Sequence, residues 1–374
     1  MSFIAQLLKT SPYKKIVLSG IVLTSVAVIA VNVLTPTQRQ ILLEPPLKSL
    51  ARVHELELGN FAILTKLNDP VYSKILTTQF NLALIDNTPN WYFTDGGLRP
   101  SPTTYNFTNM DTIVAYAQAH SMHLQAHHLL WGEDKWLPNW LKNGNYTQSQ
   151  IMDIIHSHIA TTVGRYSSKI QEWTVVNEAF TRGLHVNGLH DWWADNTGSR
   201  DYIDQAFTWA HQADPSAKLI LNDFDNEHFN PVSDAMYSYI KGAKERGIPI
   251  NGIGMQMHID GTHPPDAQEV VQNMKRFGAL GVSVYVTEFD VNMSAVAASD
   301  PMRDQIEGQI YYNMVRACVE SKVCHSFSEL GVTDAETWYN YMGPSTQNAR
   351  PLMFDANYKP KPAYYSFRAA LQQQ

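Results

Sequence analysis

Eight short apolar runs of β type, separated by longer stretches of helical period, limit the fold of this chain more than any other feature. The runs fall at 60–64, 81–86, 123–130, 172–178, 218–224, 252–258, 282–289 and 325–331, and helical spacing lies between them at 110–120, 148–166, 201–213, 231–246, 266–280 and 303–320. Alternation of this kind is the pattern of βα units around a parallel sheet. Eight such units point to an α/β fold closed as a (β/α)8 TIM barrel; an open doubly wound sheet fits the same count less well. No low-complexity stretch and no second Pro/Gly-rich break interrupts 47–374, so this segment reads as one domain. Apolar residues make up 44% of the chain, which is ample for a continuous core.

Five of the runs end in polar groups: Asp86-Asn87, Asn177-Glu178, Asn222-Asp223, Gln256 with His258, and Glu288 with Asp290. In a closed barrel these ends meet at one face, the face on which barrels of this kind place their chemistry. Ordinary loop polarity accounts for any one of them but poorly for all five. Two are glutamates on the fourth and seventh runs, so they approach across the bowl from nearly opposite walls. Hydrolysis of a glycosidic bond needs that arrangement, with one carboxyl to protonate the leaving oxygen and another on the far side to attack or to activate water. Asn177 and Glu178 are adjacent and would point to opposite sides of a regular strand, so both reach the site only where the alternation breaks. His258 and Asp290 are placed to hold Glu288 ionised, while Glu178 carries the proton. The bland alternative is a structural ion pair, for instance Glu178 with Arg182.

Charge and composition narrow the partner. With 28 Lys and Arg against 35 Asp and Glu, the formal charge is −7, and no long basic run follows residue 15. That disfavours nucleic acid. Nine Trp and eighteen Tyr supply flat side chains that serve sugar rings or cores. At the N-terminus Lys9, Lys14 and Lys15 precede an uncharged apolar segment, 16–34, long enough to span a bilayer. The positive flank puts the remainder outside, so we expect an extracytoplasmic protein, membrane-anchored by 16–34 or secreted after cleavage near Ala30. The expected organisation is a stub and anchor over 1–34, a linker over 35–46, and one domain over 47–374. Cys318 and Cys324 are the only cysteines, and their closeness in an exported chain favours a small disulfide loop over two buried thiols.

The stretch WTVVNEAF at 173–180 and VTEFDV at 286–291, with LNDF and GIGMQMH between them and GVTDAETW and PLMFDANYKPKPAY after them, resembles glycoside hydrolase family 10, the xylanase family. The resemblance runs from about Asn60 to Leu371. It implies a (β/α)8 barrel, endo-acting hydrolysis of β-1,4-xylan with retention, a polysaccharide partner, and neither cofactor nor metal. By motif, Glu178 is the acid/base, Asn177 meets the sugar 2-hydroxyl, and Glu288 is the nucleophile oriented by His258 and Asp290, with Gln256 lining the same pocket. Asn87 and His127 match glycone contacts and Trp131 a wall of that pocket. Trp193 stacks on a ring beyond the cut or anchors its loop in the core. The family's bridge at this spacing agrees with the cysteine pair, and a monomer is expected. Three positions depart from the pattern. Asn90 stands where the family has a sugar-binding Lys, Gly132 follows Trp131 where it has His, and Leu330 precedes Gly331 where it has Trp. Gly132 and Leu330 are expected to leave room for a bulkier or decorated sugar. Another β-glycan, such as a glucan, and a non-catalytic surface glycan-binding barrel are the competing functions.

Overall fold

The computed structural model describes residues 44–86 and 97–373. The apolar segment 16–34, Asn87 and Asn90 lie outside the described residues. Among the described residues no helix is long and apolar enough to cross a membrane.

The described residues form nine strands: β1 (Glu57–Phe61), β2 (Leu82–Asp86), β3 (His123–Trp131), β4 (Glu172–Asn177), β5 (Lys218–Asp223), β6 (Gly252–Met255), β7 (His258–Asp260), β8 (Ser283–Asn292) and β9 (Cys324–Glu329). Eight of them pair in parallel in the order β1 to β6, then β8, then β9, and β9 returns to β1 to close the ring. The short β7 pairs only with the far end of β8, with His258 opposite Asp290. A helix follows each strand of the ring, at Pro70–Gln79, Thr108–Ala119, Gln148–Arg165, Asp201–Ala213, Pro231–Glu245, Ala267–Gly278, Asp300–Ser321 and Pro362–Gln372. This is a (β/α)8 barrel.

Local chemistry starts the helices. Asp69 accepts the N–H groups of Val71 and Tyr72 ahead of Pro70, Thr147 and Gln150 form a reciprocal capping box, and the side chains of Asn230 and Asp266 accept the N–H groups of Ser233 and of Gln268 and Glu269. The strands are buried on both faces, as parallel strands wrapped by helices must be. Strand β1 begins three residues before the run expected at 60–64 because Glu57 and Gly59, both poor β formers, open it. Gly59 is required there: a Cβ would sit 2.1 Å from Ser328 Oγ on β9. Cys318 and Cys324 are joined in a disulfide that ties the helix Asp300–Ser321 to the start of β9.

Beneath the open face, Glu329 at the end of β9 accepts the Tyr311 hydroxyl at 2.8 Å and the Asn60 amide of β1 at 3.4 Å. Burial pushes its carboxyl from the ordinary 4.5 up to about 8. The folded chain therefore keeps a proton here that the unfolded chain loses above about pH 4.5, so this group makes stability fall as pH climbs from there to about 8. The variant Glu329→Gln removes that slope. Thermal unfolding should show it at or below wild type at pH 5 and above it by about 3–6 °C at pH 8; a constant difference across this range would contradict the assignment.

Candidate active site

Strand β4 ends at Asn177, and Glu178 then takes a left-handed backbone conformation with φ 59°. The alternation breaks at that residue, so the side chains of Asn177 and Glu178 turn into the same bowl. Asp223, at the end of β5, secures the turn by accepting the N–H groups of Phe180 and Thr181 at 2.8 and 3.2 Å. Burial lifts the Asp223 carboxyl to about 7.

The two oxygens of Glu178 have different surroundings. Oε2 accepts the Trp131 indole N–H at 2.6 Å and two Arg182 N–H groups, Nε at 3.0 Å and Nη2 at 2.8 Å. Among the described residues, Oε1 accepts the Gln256 amide alone, at 3.1 Å. The structural ion pair with Arg182 is thus present, and it coexists with a place in the bowl.

Glu288 lies within β8, where the pairing with β9 slips between Val286 and Phe289. The slip lets the neighbours Thr287 and Glu288 both reach Asn222, the first donating to its Oδ1 at 2.8 Å and the second accepting its Nδ2 at 3.0 Å. His258 Nε2 is 3.5 Å from Glu288 Oε2, its Nδ1 is 3.1 Å from Asp290 Oδ1, and His127 Nε2 is 3.4 Å from Glu288 Oε1. Asp290 is buried and accepts the Trp338 indole N–H at 2.8 Å and the Tyr339 hydroxyl at 3.1 Å. Burial opposes a charge on His258, but Asp290 and Glu288 outweigh it and hold the imidazolium well above its ordinary range. His127 moves the other way, lowered by burial despite the two glutamates, so at pH 7 His258 is the cation of the pair. Burial pushes Glu288 up, yet His127, His258 and Asn222 more than offset it, and its carboxyl is held below the usual value.

One hydrogen-bond relay joins the two walls. Gln256 Nε2 reaches both Glu178 Oε1 and, at 3.2 Å, Asn177 Oδ1; Asn222 Nδ2 reaches that same Asn177 oxygen at 2.8 Å and then Glu288. The structure therefore brings together Asn177, Glu178, Gln256, His258, Glu288, Asp290, His127 and Trp131. Leu330 packs, half-buried, on Phe61, Leu82 and Leu84.

Trp193 is a correction. It is fully buried, edge-on to Trp192, with its backbone N–H on Asp191, and it anchors its loop in the core instead of facing a sugar. Two adjacent tryptophans at a helix start point to different sides, and Trp192 is the half-buried one. Asn222, Trp338 and Tyr339 belong to the constellation and were given no role on sequence grounds. The tryptophan of the DAETW segment was the available signal. Elsewhere among the described residues, two groups place three metal-ligating atoms close together, Glu57 with Glu172 and His325, and Asp225 with Glu227 and His228. In the first, His325 pairs with Glu172 at 3.1 Å and His123 with Glu57 at 2.5 Å.

The model of glycosyl hydrolase family 10 matches residues 47–370. Endo-1,4-beta-xylanase B of Thermotoga neapolitana is 29% identical over 334 residues, which is 88% of this chain and 92% of that protein. The crystal structure of native xylanase 10B from Thermotoga maritima superposes with a TM-score of 0.79 at 30% identity, covering 87% of this chain and 98% of that one. A mutant of Xylanase10C from Cellvibrio japonicus in complex with xylopentaose gives 0.80 at 26% identity, over 88% of this chain and 69% of the other.

Gly132 does not open the space expected of it. A Cβ there would lie 2.2 Å from Asp191 Oδ1 and 3.0 Å from Asp191 Cα, and the Gly132 carbonyl accepts the Trp192 N–H at 3.0 Å. Asp191 itself is fixed by the Tyr202 hydroxyl at 2.8 Å, so the neighbour cannot give way cheaply. Gly132→Ala should therefore lose about 1–3 kcal/mol of stability, visible as a lowered Tm. An unchanged Tm would mean that the two loops part easily.

Proposed function

The chain belongs to glycosyl hydrolase family 10, and on that premise we propose that it is a retaining, endo-acting hydrolase of β-1,4-linked xylan, with Glu178 as acid/base and Glu288 as nucleophile. The observation that carries the assignment of roles is the unlike treatment of two carboxylates within one hydrogen-bonded bowl. Glu288 faces an imidazolium and is held ionised. Glu178 presents Oε1 to the bowl with its other oxygen saturated by donors.

In the first step the Glu288 carboxylate attacks the anomeric carbon while the Glu178 proton passes to the glycosidic oxygen, whose bond to that carbon breaks. The departing sugar leaves as an alcohol, and a glycosyl ester of Glu288 remains. In the second step Glu178, now ionised, takes a proton from water as the water attacks the same carbon, releasing the sugar with its original configuration and restoring Glu288. Asn177 has its Oδ1 occupied by Asn222 and Gln256, which leaves its N–H groups for a substrate 2-hydroxyl. His127, Trp131 and Gln256 border the reacting sugar. A purely glycan-binding barrel needs neither the charged His258 against Glu288 nor the buried Asp290 behind it. The apolar segment 16–34 supports placing the barrel outside the cytoplasm, anchored or released.

Glu178→Ala and Glu288→Ala should each lower kcat on xylan by about 10²–10⁴-fold. Added azide separates the roles: it should give the β-glycosyl azide with Glu178→Ala and the α-glycosyl azide with Glu288→Ala, read by proton NMR. Swapped anomers would reverse the assignment. Wild type as inert as both variants on xylan, arabinoxylan, mixed-linkage glucan and aryl glycosides would replace hydrolysis with binding.

A further inference from the structure

Arg182 sits four residues after Glu178 on the short helix Ala179–Gly183, and its buried guanidinium forks between two carboxylates. Two of its N–H groups meet Glu178 Oε2, and Nη2 also meets Glu133 Oε2 at 2.8 Å. Its Nη1 lies 3.5 Å from the His190 carbonyl, and the group rests 5.6 Å from the centre of the Trp131 ring. Asp223 holds the turn that carries it. A cation this close to a proton donor is awkward by itself, since it favours the ionised carboxylate over the form that can give a proton. Glu133 supplies the counter-charge. The side chain of Glu133 comes from the loop after β3 and is the second carboxylate on the same guanidinium.

We propose that Arg182 and Glu133 act together as positioning residues for Glu178, Arg182 fixing which oxygen carries the proton and Glu133 drawing off enough of the guanidinium charge for the proton to stay there. The inference rests on the reading of Glu178 as acid/base. Oε2 already accepts three N–H groups, so it is the oxygen without a proton, and the transferable proton belongs on Oε1, which faces the bowl and Gln256. Among the described residues, the other titratable groups around Glu178 are His127 on β3 and Asp223 on β5, with Glu288 on β8 across the relay, while His128 lies within electrostatic reach of Arg182. Burial drives His128 well below its ordinary value, so it adds no charge at neutral pH. None of these contacts Arg182 as Glu133 does, which makes Glu133 the partner whose loss reads out selectively.

The test is the pH profile of kcat/KM for wild type, Arg182→Met, Arg182→Lys and Glu133→Gln on a xylo-oligosaccharide and on a dinitrophenyl β-xylobioside. The second substrate expels a phenolate that needs no proton. Removing the cation favours the neutral carboxyl, so the alkaline limb of Arg182→Met should move up by about one pH unit. Neutralising Glu133 leaves the guanidinium charge undivided on Glu178, so the limb of Glu133→Gln should move down. On the oligosaccharide Arg182→Met should lose about 10–100-fold at its optimum, on the dinitrophenyl substrate far less, and Arg182→Lys should recover part of the loss. Equal losses on both substrates, or limbs that stay in place or move in the same direction, overturn the proposal. If Arg182→Met does not fold, Glu133→Gln and Arg182→Lys still decide it: an unmoved alkaline limb in both overturns it. Glu178→Ala separates the two levels, because retained oligosaccharide cleavage there removes the acid/base reading itself.

Discussion

One side-chain amide, that of Asn222, holds the site together. It stands at the fully buried end of β5 and donates to Asn177 at the end of β4 and to Glu288 inside β8, while its oxygen takes the Thr287 hydroxyl. An amide with every donor and acceptor assigned has one orientation, and in a buried setting the cost of an unmade bond enforces it. Three strands are thereby locked in register at the level where the two carboxylates emerge, and Gln256 extends the lock to Glu178. The closed ring of strands sets the coarse distance across the bowl. The relay sets the fine one.

Polarity in the bowl is divided by what stands behind each carboxylate. Behind Glu288 are His258 and then Asp290, a chain in which the buried acid stabilises the imidazolium and the imidazolium stabilises the nucleophile, with Trp338 and Tyr339 fixing the far end. Behind Glu178 is a different device, a cation shared with a second acid. Both solutions place a charge close to the reacting group and then balance it from the side away from substrate. Such layered support turns a flexible glutamate into a fixed group, and it explains why so many polar side chains are buried around a cleft whose chemistry needs two.

Much of this was legible in the sequence, and the reasons are physical. Alternation of apolar runs and helical spacing declared the eight βα units because each strand must be apolar on two faces and each helix on one. Glu178, Glu288, His258 and Asp290 were recognisable because they close apolar runs, where a charge has no business unless the fold brings it to the open face. The first strand was misplaced because Gly59 serves a close approach to Ser328 on β9, a contact made by residues far apart in the chain. Trp193 and Trp192 could not be told apart from spacing, since a one-residue step on a short helix decides which of them is buried. Arg182 was visible at i+4 from Glu178 as a possible ion pair, but sequence spacing could not show that the same guanidinium also holds Glu133.

Gly132, the departure at the end of β3, belongs to one local junction. With no side chain at Gly132, Asp191 occupies the space and is fastened there by Tyr202, while Trp192 bonds the Gly132 carbonyl. Arg182 touches the residues on either side of that junction, Glu133 next to Gly132 and the carbonyl of His190 next to Asp191. Loss of a side chain at 132, the buried Asp191 and the guanidinium beside Glu178 therefore depend on one another: a bulkier residue at 132 would displace Asp191, shift the His190 carbonyl and disturb the fork that Arg182 makes. Asp191 of the neighbouring loop takes the space beside Gly132, while the cation against Glu178 comes from Arg182 on the short helix after β4.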